Sequence, residues 1–163
     1  MASGIVLAVA LLLPLTQPRP WQWWEEGPPL PLLSGHVVDE ADLLPPDEEE
    51  KLIARLRSLE TRTGHYLIIV AVESLNEQSI EGFGLRLGRS WAVGRKDVDD
   101  DVLLIIAPNE HEVRIQAGRR LEKQLSDREC SRIIRELILP PFAKADFAKG
   151  VDNGVAAIIR RIS

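Results

Sequence analysis

The sequence predicts an α/β fold, a three-layer sandwich in which a small mixed β-sheet carries helices on both faces. Three observations predict it. Tyr66 to Val72 and Val102 to Ala107 are short, continuous apolar runs rich in β-branched residues, the pattern of strands buried on both faces. A helical stripe of Ile80, Phe83, Leu87 and Trp91 separates them, so they read as a parallel pair joined by a crossover. Val113, Ile115 and Ala117 then alternate with Glu112, Arg114 and Gln116 as a half-exposed strand should. Pro108-Asn109-Glu110 supplies turn chemistry and makes this strand the antiparallel arm of a hairpin.

The helices follow in order. Leu52, Ile53, Leu56 and Leu59 recur at helical spacing after Pro46, a residue suited to a first turn. Asp47 to Glu50 stand at the positive end of the helix dipole, and Gly64 can take the left-handed stop. Ser79 is the expected N-cap of the second helix, with Gly94 beyond its end. Ser126 and Glu129 form a capping box for a helix striped by Cys130, Ile133, Ile134, Leu137 and Ile138, which Pro140 and Pro141 are expected to stop. A last helix is predicted from about Phe147 to Ile162. The expected order is helix, strand, helix, strand, strand, helix, helix.

Composition narrows the function classes. At 163 residues, 45% hydrophobic and 28% charged, the chain is of ordinary globular type with one main domain. A net charge of −5 leaves no basic excess for a nucleic-acid backbone, which argues against nucleic acid as a partner. A single cysteine, Cys130, excludes an intrachain disulfide and a multi-cysteine zinc site. A domain over 35–163 buries about two-thirds of its unfolded surface, so neither disulfide nor metal is needed for folding.

Three segments are expected: a signal peptide or signal anchor over 1–17, a Trp/Pro-rich linker over 18–34 and the α/β domain over 35–163. Ile5 to Leu13 is an unbroken apolar run that fits a secretory h-region and falls short of the ~20 residues that span a bilayer. The expected location is extracytoplasmic, periplasmic or lumenal, with the N-terminus either cleaved or retained as an anchor. No Lys or Arg precedes the run, and Ala8-Val9-Ala10, the one A-x-A pattern, lies inside it. Trp21, Trp23 and Trp24 suit either a membrane headgroup layer or packing on the domain, with Pro28, Pro29 and Pro31 as a stiff spacer.

A series of short motifs recurs in a familiar order. VVDEADLLPPDEEEKL opens the domain, Thr63-Gly64 precedes the first buried run, and Trp91-Ala92-Val93-Gly94 closes the second helix. An acidic run leads into VLLIIA, followed by VRIQAG, Leu121-Glu122 with Ser126-Asp127, and Pro141-Phe142 ahead of the last helix. From Val37 to Ile162 the chain thereby resembles the TPM domain family, found in exported or membrane-anchored bacterial proteins, plant thylakoid-lumen proteins and an animal receptor modulator. The resemblance implies an α/β sandwich and a role outside the cytoplasm. Some plant members are associated with repair and assembly of a photosynthetic complex, with acid phosphatase activity and with a bound calcium. The chain departs from the family's pattern twice: Asp100 and Asp101 replace an Asn-Gly pair, and Arg120 replaces the second glycine of Gly-x-Gly.

The strongest chemical candidate is the acidic run Asp97, Asp99, Asp100 and Asp101. Four neighbouring carboxylates are tolerable as a solvated turn or around a hard cation such as Ca²⁺. Their D-x-D-x-D spacing is not an EF-hand, because Val102 stands at the glycine position and Pro108 at the terminal glutamate. Asp39 matches the family's opening aspartate and, with Asp99 and Asp100, completes the candidate ligand set for a weakly held Ca²⁺. Its alternative role is to cap the local turn. His36 is a candidate ligand, proton shuttle or surface residue.

Catalytic signatures are otherwise missing, and no organic cofactor is expected. Gly88-Arg89-Ser90-Trp91-Ala92 lacks the second glycine of a nucleophile elbow, and neither a phosphate loop nor an H-E-x-x-H motif occurs. Cys130 lies on an apolar stripe, where a cysteine acts as a small core hydrophobe. Arg114 points outward, toward an acidic substrate or a surface salt bridge. Two functions stand: a non-enzymatic interaction or assembly factor for an envelope or membrane protein complex, and a divalent-metal-assisted acid phosphatase using Asp39 with Asp99 and Asp100. The lack of a nucleophile or base motif favours the first.

Overall fold

The computed structural model describes residues 27–91 and 99–163. The segments of the domain named above fall within it, except Asp97 and the Ala92-Val93-Gly94 end of the second helix; the N-terminal apolar run Ile5 to Leu13, expected as a secretory segment, and Trp21, Trp23 and Trp24 also lie outside the described residues. Among the described residues four strands form one mixed sheet in the order β1 (Val37–Asp39), β2 (Tyr66–Ala71), β3 (Asp101–Ala107), β4 (Glu112–Ala117). The first three are parallel and β4 runs antiparallel to β3. The fold class expected from the sequence is therefore present, with one strand more than its periodicity indicates. A three-residue β1 is too short to show a period of two.

Helix α1 (Pro46–Thr63) connects β1 to β2, with Gly64 in the left-handed conformation at its C-cap. Helix α2 (Ile80–Trp91) connects β2 to β3, and Ser79 Oγ accepts from Gly82 N at 3.1 Å. After the hairpin come α3 (Asp127–Ile133), a π-helical segment Ile134–Ile138, the short α4 (Leu139–Phe142) and α5 (Phe147–Ile162). Pro140 and Pro141 do not stop the third helix as expected. They fall in the first turn of α4, just past the π segment, where a missing N–H breaks no regular helical bond. Asn153 Nδ2 of α5 donates to Leu137 O at 3.3 Å and so satisfies a carbonyl of the π segment.

Two cores lie on opposite faces of the sheet. On one, Leu67, Ile69, Leu104 and Ile106 pack with Leu52, Leu56 and Leu59 of α1, Ile133 of α3, and Val151, Val155 and Ile158 of α5. On the other, Ile68, Val70, Leu103 and Ile105 pack under Ile80, Phe83 and Leu87 of α2. The chain steps across β1, β2 and β3 in one direction while α1 and α2 take opposite faces. The two crossovers therefore have opposite hands, a departure from the near-uniform right-handedness of such units. Among the described residues α2 is the one helix on its face, and it reaches β4 through Glu81 to Arg114 and Gly84 to Gln116.

Residues ahead of β1 lie against α2. Arg86 donates to Pro28 O at 2.7 Å, Trp91 Nε1 donates to Pro31 O at 3.0 Å, and Leu30 packs on the α2-side core. No helix among the described residues is long and apolar enough to cross a membrane.

Candidate functional site

A cleft of about 1030 Å³ follows the outer side of β4. Arg114, Ile115, Gln116 and Ala117 form its floor. Leu85, Gly88 and Arg89 of α2 make one wall, while Leu125, Ser126, Asp127 and Cys130 at the start of α3 make the other. Asp99, Asp101, Gly118, Arg119 and Glu122 close one end. The floor lies here because β4 is the last strand of the sheet and helices cover both faces beside it.

Most polar groups of the cleft have partners within the chain. Arg114 Nη1 donates to Glu81 Oε1 of α2 at 3.2 Å, which realises the salt-bridge reading of Arg114. Gln116 Nε2 donates to Gly84 O at 3.2 Å, while its buried Oε1 and the Arg114 Nε have no hydrogen-bond partner among the described residues. Arg119 pairs with Asp99, whose backbone takes a left-handed φ of 49° that aspartate tolerates. Ser126 Oγ accepts from Glu129 N at 3.3 Å as the N-cap of α3. Only half of the expected capping box forms, because the Glu129 carboxylate turns to Arg132 and Arg161 instead.

Two groups that line the cleft have perturbed acidity. Burial, opposed by its own backbone N–H and reinforced by the charges of Asp99 and Asp100, raises the Asp101 carboxyl above its ordinary value. Burial, reinforced by Asp127 and Glu129, pushes the Cys130 thiol up to about 11. With its side chain 3.6 Å from Leu125 O, Cys130 is the small core residue expected from its stripe.

The predicted metal residues are placed apart. Asp39 pairs in register with Ala71, at the C-terminal end of the parallel strands, whereas Asp101 pairs with Tyr66 at their N-terminal end. Five residue steps at ~3.3 Å separate these ends by roughly 17 Å. Asp39 accepts from Leu43 N at 3.1 Å and Leu44 N at 2.8 Å, capping the turn that leads to α1. Asp99 faces the cleft with Arg119, and Asp100 is fully buried, with one carboxylate oxygen 3.8 Å from His65 Nδ1. The structure brings Asp99, Asp100 and Asp101 together by sequence adjacency but does not bring Asp39 to them. Among the described residues, no group of three or more His, Cys, Asp and Glu is placed to hold a metal ion. His36 does not line the cleft: its Nε2 is 2.9 Å from Glu60 Oε2, and its ring stacks on Tyr66.

Sequence reasoning named Asp99, Asp101, Arg114 and Cys130 but missed Leu85, Arg119 and Glu122 as parts of one cleft. The legible signal was the alternation of β4, which marks a strand with one half-exposed face; that its edge is open follows from the strand order.

Solved structures share this arrangement of elements. The N-terminal domain of a protein from P. gingivalis is 33% identical, with a TM-score of 0.71 over 77% of this chain and 80% of that one. The N-terminal domain of the cg2496 protein from Corynebacterium glutamicum is 13% identical, with a TM-score of 0.62 over 83% of this chain and 84% of that one. The BA42 protein from the psychrophilic bacterium Bizionia argentinensis is 17% identical, with a TM-score of 0.62 over 73% of this chain and 81% of that one. The last two are likenesses of fold alone. No curated protein matches the sequence. The TPM domain model matches residues 37–161, and with the same fold in a structure at 33% identity, this chain belongs to the TPM domain family.

Proposed function

We propose that this TPM domain works outside the cytoplasm as a non-enzymatic interaction module for a membrane or envelope protein complex, with the cleft along β4 as its binding surface. The observation that carries the reading is the nature of that cleft. It is a long recess beside an open strand, in which the Ser126 hydroxyl caps a helix, the Cys130 thiol packs in the core, and Arg114 and Arg119 are held in ion pairs. Such a recess offers area and backbone groups to a protein, and no nucleophile poised beside a base. The apolar run Ile5 to Leu13 supports export, and the contacts of Arg86 and Trp91 with Pro28 and Pro31 keep the N-terminal arm beside the α2 wall.

The metal-assisted phosphatase is the less favoured reading, since it gathers Asp39, Asp99 and Asp100 around one ion and the strand register holds Asp39 at the far end of the sheet. A photo-crosslinking residue at Leu85, in the cleft wall, is expected to give a discrete protein adduct in intact cells. The same residue at Leu139, exposed on α4, is expected to give none. Equal labelling from both positions, or turnover of p-nitrophenyl phosphate by the full chain that depends on a divalent ion, would overturn the proposal. Residues 1–34 fused to a reporter active only outside the cytoplasm are expected to give signal; a silent fusion removes the location.

A further inference from the structure

We infer that the cleft binds its partner by strand addition: an extended segment of another polypeptide, with a basic side chain at the Asp101 end, pairs with the free edge of β4 as a fifth strand. The inference rests on the interaction reading above and names its occupant.

The hydrogen-bond phase of the hairpin decides which backbone groups are offered. Gly118 N donates to Asp101 O at 2.8 Å, and Val102 pairs in register with Ala117. Hydrogen-bonded pairs alternate in an antiparallel ladder, so Gln116, Arg114 and Glu112 bond to β3. The N–H and C=O groups of Val113, Ile115 and Ala117 therefore point out of the sheet. Ile106 O of β3, which accepts from Val72 N of the opposite neighbour, fits the same phase. Among the described residues none of these outward groups has a hydrogen-bond partner.

Proteins blunt such edges by shortness, proline, lysine, bulges or a covering element. The other edge is blunted in this way, since β1 has three residues. By contrast β4 has six and keeps unbroken register with β3 without a proline; of its two charged residues, Glu112 and Arg114, the arginine is turned to Glu81 of α2. Its edge lies at the floor of a cleft, recessed between α2 on one side and the start of α3 on the other. Alternate side chains of an added strand would face the half-exposed Leu85 on one wall and Leu125 with Cys130 on the other.

Charge sets the end that takes a cation. Arg114 is paired with Glu81 and Arg119 with Asp99. Of the remaining charged groups lining the cleft, Asp101, Glu122 and Asp127 are acidic and Arg89 is basic, and none has an ion pair among the described residues. Asp101 and Glu122 flank Gly118, at the C-terminal end of β4.

The test uses the full chain and hexapeptides of alternating Val and Thr in which one Lys is moved through each position. Expected is saturable binding with one Lys position preferred, a preference that Glu122→Gln removes. Amide exchange at Val113, Ile115 and Ala117 should slow about tenfold or more on binding, while Arg114 and Gln116, already bonded to β3, stay unchanged. N-methylation of the peptide at alternate residues should weaken binding by about tenfold in one phase and hardly at all in the other. Ala117→Pro, which removes an outward donor and spares the ladder to β3, should weaken binding in a folded protein. Strand addition is overturned if the peptide binds without protecting these amides, or if both methylation phases act alike. It is equally overturned if the amides are already protected by self-association or by residues 1–26. A partner adduct at Leu85 with unprotected β4 amides would sink strand addition and leave the interaction reading standing; absence of both adduct and peptide binding would sink both.

Discussion

Gly118 meets Asp101 across the open end of the hairpin through a 2.8 Å bond from its N–H to the aspartate carbonyl, so closely that a Cβ on Gly118 would stand 2.3 Å from Asp99 O. The obstruction is backbone and cannot rotate away. Gly118→Ala is expected to lower stability by about 1–3 kcal/mol through overpacking and to shift the amide resonances of Asp99 to Asp101. A variant as stable as the parent in urea, with those resonances unmoved, would contradict the close approach.

Asp101 should be held in the fold against its own stability. Its carboxyl is raised, first by burial, so the folded state favours the protonated form more than the unfolded state does. That contribution is full below the ordinary value of 3.8 and is lost as pH rises through the folded value. Asp101→Asn is therefore expected to raise the melting temperature by a few degrees at pH 7 and to lose this advantage near pH 3. Melts at the two pH values check it, and a destabilised variant at pH 7 would mean that the ionised carboxylate is stabilising.

Cys130 carries a thiol raised from 9.0 to about 11, first by burial. At neutral pH this leaves about a hundredfold fewer thiolates than an ordinary cysteine has, so alkylation by iodoacetamide should be slower in the native chain than in urea by at least that factor. Between pH 9 and 11 the unfolded thiol ionises while the folded one does not, so stability should fall over that window relative to Cys130→Ala. Parallel denaturation curves for parent and variant from pH 8 to 11 would show the difference to be absent.

Asp39 caps a turn through two backbone N–H groups, and Asn can replace only one of its acceptor oxygens. Asp39→Asn is expected to cost about 1–2 kcal/mol. The loss should be equal in millimolar calcium and in chelator, because Asp39 is remote from the acidic run. A loss confined to calcium would place Asp39 at an ion after all.

Periodicity and caps were enough to read α1, α2, α5, the buried strands β2 and β3 and the hairpin, because each depends on neighbours within a few residues. The stripe of Leu52, Leu56 and Leu59, the cap at Ser79 and the alternation of Val113, Ile115 and Ala117 are local facts of this kind. Of the cleft, Asp99, Asp101, Arg114 and Cys130 were legible as unusual residues, though not as neighbours. Strand pairing decided the rest. It made Val37–Asp39 a strand by giving it β2 as partner, sent α1 and α2 to opposite faces, and carried Asp39 to the end of the sheet away from Asp99. It also left β4 with no strand on its outer side among the described residues. A sequence records the spacing of side chains along one chain, whereas a sheet edge or a shared cleft depends on which remote segments hydrogen-bond, and the register of those bonds is set only when the chain packs.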